Sequence, residues 1–259
     1  MTAFFTKCLI VCPLVFLAGF IDAIAGGGGI ITIPAYLLAG LPAHLAVGTN
    51  KTVAGLGTLT SVFKYIKNGA VIGDVALFAS MGSITGAFIG SGIALHLSEQ
   101  VLKTILLVAL PCVALFLTFN RGFGLNDGAM KSHSPTKRRL LSLLVGLVVG
   151  GYDGLIGPGA GTFLIIGFAA VLGTDLLTGS ACGRVTNLAS NLTSMLMYIH
   201  AGQVDFLLTV PAAVCYGLGG YAGSGYALKG GSKNVRKVMF VVLALLFIKV
   251  GMDLAGVSF

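Results

Sequence analysis

Hydrophobic residues in this chain come in long uninterrupted runs separated by short polar turns. Leu9–Phe20, Ile105–Leu117 and Val238–Leu246 are examples. Transmembrane strands alternate apolar and polar residues, so continuous runs predict membrane-spanning helices. A first span is predicted over about Cys8–Ala25, long enough to cross a bilayer. A short run, Ile30–Ala39, follows; Pro34, Gly40 and Pro42 interrupt it before Ala43–Val47. Neither piece crosses alone, and together they predict a broken helix or a re-entrant hairpin. Further spans are predicted over about Thr49–Ile66, Val71–Leu95 and Val101–Phe119. After a polar stretch the order returns: Leu140–Ile156, a short run Thr162–Leu172, then Ala181–His200, Val204–Tyr226 and Val235–Leu254.

The returning order is matched residue by residue. With Asp22 set on Asp153, Gly19 falls on Gly150, Gly26 on Gly157 and Gly28 on Gly159. After a two-residue slip, Gly40 meets Gly173, Lys51 meets Arg184, Tyr65 meets Tyr198 and Gly69 meets Gly202. The chain therefore reads as two homologous repeats, residues 1–119 and 140–259, joined by a linker over 120–139. Each repeat has four spans plus one broken or re-entrant segment.

Composition agrees with the pattern. Of 259 residues, 56% are hydrophobic and 9% charged, against about a quarter charged in a soluble domain. The formal net charge is +8. Its basic residues sit in short loops, which reads as positive-inside topology rather than nucleic-acid binding. The linker carries Arg121, Lys131, Lys137, Arg138 and Arg139 and is placed in the cytoplasm. Lys64–Lys67 and the Lys229–Lys237 stretch join it there if the broken segment of each half counts as a crossing. The two repeats are then inverted, the arrangement of many secondary transporters. A re-entrant segment would instead make them parallel, with about eight spans, and would put Lys7 in the cytoplasm. Lys7, the apolar run and Ala23-Ile24-Ala25 imitate a secretory signal. Asp22 and Gly26 belong to the repeat, so the segment is expected to be retained. Five scattered cysteines show no metal or redox spacing and read as core residues.

The candidate chemistry lies at the two glycine stretches. A glycine-rich turn at a helix break leaves backbone N–H groups without intrahelical partners. Within a membrane such groups need protein or a wet cavity. Gly26, Gly27, Gly28 and Gly29 form one stretch; Gly157, Gly159, Ala160 and Gly161 form the other. Helix N-termini starting there suit an anion. Lys51 and Arg184 are equivalent cations near the starts of apolar helices, and such a cation usually faces a cavity or a partner. Thr49, Asn50, Asn187, Ser190 and Asn191 could add neutral hydrogen bonds. Asp22 and Asp153 form the matching acidic pair, which either carries a coupling proton or balances the two cations. The four histidines have no metal-like spacing, and no cofactor motif or nucleotide-binding loop is present. No nucleophile–base pair suggests an enzyme. The expectation is a secondary transporter in the lipid bilayer, moving a small anion by alternating access, with a coupling proton left open. An anion channel and a carrier of small organic carboxylates are the alternatives.

These residues resemble the sulfite exporter TauE/SafE family over nearly the whole chain. The resemblance rests on Gly26–Gly29 with Pro34, Ala46-Val-Gly48-Thr49-Asn50, Tyr65 and Gly69. In the second half it rests on Gly157-Pro-Gly-Ala-Gly161, Gly179-Ser-Ala-Cys182 and Tyr198-Ile-His-Ala-Gly202. Cys182-Gly183 departs from the Thr-Ser-like pair usual there. The resemblance implies a multi-pass permease of the bacterial inner membrane with seven or eight spans. Its implied substrates are sulfur oxyanions and organosulfonates of the sulfite, thiosulfate or sulfoacetate type. It leaves a homodimer open.

Overall fold

The computed structural model describes residues 2–102, 104, 105, 108 and 131–254. Most of the predicted span Val101–Phe119 and of the linker lies outside the described residues, as does Cys112. Every regular element among the described residues is a helix, as the apolar runs predict. In chain order they are α1 (Thr2–Ala25), α2 (Gly28–Leu38), α3 (Ala43–Lys67) and α4 (Gly73–His96), then α5 (Pro135–Leu155), α6 (Ala160–Leu172), α7 (Leu176–His200) and α8 (Phe206–Leu254). Gly231 interrupts α8 with φ 57° and ψ −150°.

Four boundaries differ from the sequence reading. Pro34 lies inside α2 rather than breaking it; the turn comes at Gly40 (φ 82°). Ala43–Val47 belongs to α3, which runs unbroken from Pro42 as its N-cap. Thr49 and Asn50 resemble a helix start but lie within the helix and turn their polar groups to neighbours. Likewise α7 begins at Leu176, because the Asp175 carboxylate accepts from the amides of Leu177 and Thr178. The linker also ends early: Ser134 caps α5 and Pro135 opens it, so Lys137, Arg138 and Arg139 are helical.

Close contacts fix the helix directions. Along α3 and α7, Gly48 faces Tyr198, Gly55 faces Leu192, and the Tyr65 hydroxyl lies 3.4 Å from that of Ser180; these helices are antiparallel. A Cβ on Gly82, Gly86 or Gly90 of α4 would strike the backbone of Leu143, Leu147 or Gly151 in turn, so α4 and α5 are parallel. Facing this row, α5 offers Gly146, Gly150 and Gly154, which press on Ala79, Ser83 and Ala87. Two small-residue stripes at four-residue spacing thus meet backbone to backbone, the geometry that drives helix association in lipid. Gly219 and Gly223 of α8 press in the same way on Phe16 and Phe20 of α1, again in parallel. Gly57 of α3 meets Tyr216, and Thr60 meets Gly217, so α3 also runs parallel to α8. Thus α1 and α3 run one way, α4 the other, and α5, α7 and α8 each oppose their counterparts.

Both short helices fold back. Ile30 packs near Ile21, and Tyr36, further along α2, packs with Val11 and Val15. Phe163 stacks on Tyr152 at 5.2 Å, while Gly167 abuts Val145. At 1.5 Å per residue, α2 and α6 span about 16 and 20 Å, too little to cross alone. The fold is therefore two bundles, each borrowing a helix: α1, α2 and α3 with α8, and α5, α6 and α7 with α4. They meet across α3 and α7.

Polarity is inside out relative to a soluble protein. Phe63, Leu77, Phe88, Val148, Leu196 and Val210 are exposed, while Asp22, Lys51, Asp153 and Arg184 are buried. Among the described residues, three helices are long and apolar enough to cross a membrane by hydropathy: Lys7–Ala25, Gly73–His96 and Phe206–Phe240. At 25 residues, α3 and α7 are as long; the polar groups they carry inward keep their hydropathy low.

Candidate functional site

The two helix breaks touch at the centre of the molecule. Gly27 (φ 98°) and Gly159 (φ 80°) cap α2 and α6 in a left-handed conformation that strongly favours glycine. The structural equivalent of Gly159 is therefore Gly27, so the register slip begins inside the glycine stretch itself. Gly26 lies against the backbone of Gly161 and Thr162, and the Thr162 hydroxyl donates to Ala25 O at 2.8 Å.

Two buried ion pairs cross between the halves. Lys51 Nζ of α3 lies 2.8 Å from Asp153 Oδ1 of α5 and also donates to the Asp153 carbonyl. Arg184 of α7 pairs with Asp22 Oδ2 of α1. Both cations are 1% exposed, as a charge far from water requires once it has a partner. Neighbours complete the carboxylates. Asp22 accepts from the Gly28 amide at 2.9 Å and from the Tyr216 hydroxyl at 2.6 Å. Asp153 Oδ2 accepts from Asn187 Nδ2 at 3.1 Å and from the Ser190 hydroxyl.

Between the pairs lies a cavity of about 20 Å³, room for one or two waters. Gly27, Gly28 and Gly29 line it from one break, and Gly157, Gly159, Ala160 and Gly161 from the other. Asp22 and Asp153 face it, with Asn50, Asn187 and Asn191. The structure thus brings together most residues singled out in the sequence. Ser190 is not on the wall but serves Asp153, and four others also stand back. Lys51 and Arg184 sit behind their carboxylates, and Gly26 is spent on the contact between the breaks. Thr49 turns to the other end of α3, where its hydroxyl accepts from the Asp205 amide at 3.0 Å.

Arg184 keeps hydrogen-bonding capacity in reserve: among the described residues its Nε and Nη2 have no partner. Its guanidinium lies so close over Gly161 that a Cβ there would collide with Nη2. Cys182 faces away from the site and its sulfur accepts from the Ile72 amide at 3.4 Å, so a hydroxyl at this position would not face the cavity.

Sequence reasoning missed Tyr216, Ala54 and Thr32. Tyr216 comes from the apolar first part of α8; the signal was a tyrosine within a span, whose hydroxyl must find a partner. Thr32 donates both to Gly28 O and to Asn50 Oδ1, tying α2 to α3. The cysteines are less scattered than they read: Cys12 of α1 packs with Cys8 and with Cys215 of α8. No group of three metal-ligating side chains forms among the described residues.

The basic groups collect at one end. Arg138 Nε donates to Asp74 Oδ2 at 2.8 Å, Lys64 Nζ to Tyr221 O at 2.9 Å, and Lys131 to Ala170 O. His44, Glu99 and Asp205 mark the other end. There Glu99 accepts from the Ala43 and His44 amides that open α3, and its carboxylate lies 2.8 Å from His44 Nδ1. Burial works against the Glu99 carboxylate, but these donors outweigh it and hold its pKa below the usual value.

Comparison with known proteins finds relatives over nearly the whole chain. The family model for the sulfite exporter TauE/SafE matches residues 11–250. A probable membrane transporter protein, ORF9, of Sinorhizobium sp is 34% identical over 92% of this chain and 90% of its own. The probable membrane transporter protein YfcA of Escherichia coli strain K12 is 32% identical, over 93% of this chain and 88% of its own. One from Haemophilus influenzae is 31% identical over 92% of each. No solved structure matches the chain. With two polar helix breaks enclosed by apolar-faced helices, and this match over nearly its full length, the chain is a membrane transporter protein of the sulfite exporter TauE/SafE family.

Proposed function

We propose that the protein is a secondary transporter for a small anion, a sulfur oxyanion or organosulfonate of the sulfite, thiosulfate or sulfoacetate type. One observation carries this reading: two helix N-termini converge on one cavity with a buried Lys51 and a buried Arg184 behind it. Helix N-terminal amides suit an anion, and the planar guanidinium fork suits two oxygens of an oxyanion at once. The description of the family, sulfite exporter, supports the substrate class. The opposed directions of corresponding helices support an inverted repeat working by alternating access. The basic end, with Lys64, Lys131 and Arg138, is the cytoplasmic face of a bacterial inner membrane under the positive-inside rule. Lys7, at the N-terminal end of α1, falls on the other side and is the exception.

A cavity with room for one or two waters cannot hold such an anion. Loading requires the bundles to part along α3 and α7, toward one face or the other. The rocking bodies are then the two bundles, each with a helix from the other half, rather than the two sequence halves.

Uptake into proteoliposomes, with and without a pH gradient, tests the reading. The panel is sulfite, thiosulfate, sulfoacetate, taurine and a carboxylate control. Saturable uptake of a sulfur anion is expected. Uptake of the carboxylate alone would replace the substrate class, and flux without saturation would make the protein a channel.

A further inference from the structure

The two ion pairs occupy equivalent places, but their hydrogen-bonding capacities differ. Asp22 is ringed by groups that donate. The Gly28 amide and the Arg184 guanidinium have no acceptor to offer. The Tyr216 hydroxyl gives its proton to Asp22. Tyr65 of α3, close to Asp22 and Arg184, donates to Ala23 O at 2.8 Å. A neutral Asp22 would leave the buried Arg184 uncompensated. Every hydrogen bond to Asp22 is one that a carboxylate accepts.

Asp153 meets a group that can reverse its role. Ser190 Oγ lies within reach of Asp153 Oδ2 and also 2.9 Å from Asn187 O. When the serine proton points to Asn187 O, the oxygen is free to accept a proton from Asp153. The other donors to Asp153 are Lys51 from α3 and Asn187 from α7. Its neighbour Tyr152 turns away to Pro158 O at 2.6 Å, and α4 packs on α5 through glycine and serine. Lys51 differs from Arg184 too: a compact ammonium on a flexible stem can change partner more readily than a fork packed over Gly161.

We propose that Asp153 takes up the proton that accompanies the anion, while Asp22 stays ionised and holds the site together; this rests on the anion-carrier reading above. A proton from water adds to the Asp153 carboxylate and gives the neutral acid, which donates to Ser190 Oγ. Lys51 keeps its own proton, loses its counter-charge and pairs with the arriving anion. On the far side the anion leaves, Asp153 returns its proton to water, and the pair with Lys51 re-forms. One proton moves with each anion, and an anion of single charge moves without net charge.

The test is proton uptake on binding, measured with a pH indicator in weakly buffered detergent solution. Thiosulfate and sulfoacetate are the probes, because neither titrates near neutral pH. Wild-type protein is expected to take up about one proton per anion bound. Asp153→Asn should bring that ratio to zero at whatever affinity remains. Infrared difference spectra of the wild type give a reading that needs no variant: a protonated carboxyl band should appear when anion is added. Anion binding with neither proton uptake nor an acid band would overturn the proposal and leave the carrier reading intact. A ratio kept in Asp153→Asn would overturn it too. No binding of either probe to folded wild-type protein would remove the anion reading, and the proposal with it.

Discussion

Lys51 Nζ and Asp153 Oδ1 lie 2.8 Å apart although 102 residues separate them in the chain. Arg184 and Asp22 repeat the relationship in reverse, so each half of the chain gives its cation to the carboxylate of the other. All four groups are buried, and each cation is tolerated only because its partner is present.

Removing one partner should therefore be costly. Lys51→Ala is expected to abolish transport and to lower stability by about 3–5 kcal/mol, since Asp153 is left charged and buried. Adding Asp153→Asn should recover part of that loss without restoring transport. Thermal unfolding in detergent and uptake into liposomes measure the two effects. Unchanged transport in Lys51→Ala would remove Lys51 from the mechanism.

The glycine stripes between α4 and α5 leave no room for a side chain. Gly86→Leu would drive a branched side chain into the backbone of Leu147 and Gly151. A loss of about 3 kcal/mol or more is expected from such overpacking, read as a fall in monodisperse yield by size-exclusion chromatography. The same change at Gly69, where no atom lies within 4 Å of an added Cβ, meets only the strain of φ 68° and should cost about 1–2 kcal/mol.

If the bundles move as bodies, crosslinks should tell the seams apart. Cys12 and Cys215 lie together within one bundle, and joining them by oxidation should leave transport within about two-fold of the uncrosslinked protein. Gly55→Cys with Leu192→Cys, joined by a short bifunctional thiol reagent, spans the seam between α3 and α7 and should stop transport. Equal effects of the two crosslinks would argue against rocking at this seam.

Glu99 clamps the start of α3 from outside the membrane. Its pKa is lowered in the folded protein, so it binds a proton more readily when unfolded. Its contribution to stability is complete above the ordinary carboxylate value of 4.5 and is lost as pH falls below it. Glu99→Gln should remove this acid dependence from thermal unfolding scans and cost about 1 kcal/mol at neutral pH, the usual worth of a helix cap. An acid limb as steep in the variant as in the wild type would assign the dependence elsewhere.

The membrane class and the central residues were legible because both depend on local composition. Runs of Leu, Val, Ile and Ala mark spans, and glycines beside Asp22 and Asp153 mark breaks. Boundaries were harder where one residue type has two uses. Thr49 and Asn50 read as a helix start because such residues cap helices, yet inside α3 they serve Asp205 and Thr32. Tyr216 and the Ser190 hydrogen-bond choice were hidden because both depend on which distant helices pack together. The sequence marks the small faces of α4, α5 and α8 with glycine, but nothing local says which faces meet.

That pairing has a consequence for biogenesis. Since α8 completes the bundle begun by α1, and α4 belongs with helices that follow it in the chain, neither half is a finished object when synthesised alone. The first half must wait in the bilayer with its glycine grooves occupied by lipid or by a chaperone until the last helix arrives. Two separate polypeptides cut between residues 119 and 131 should fail singly and assemble when made together.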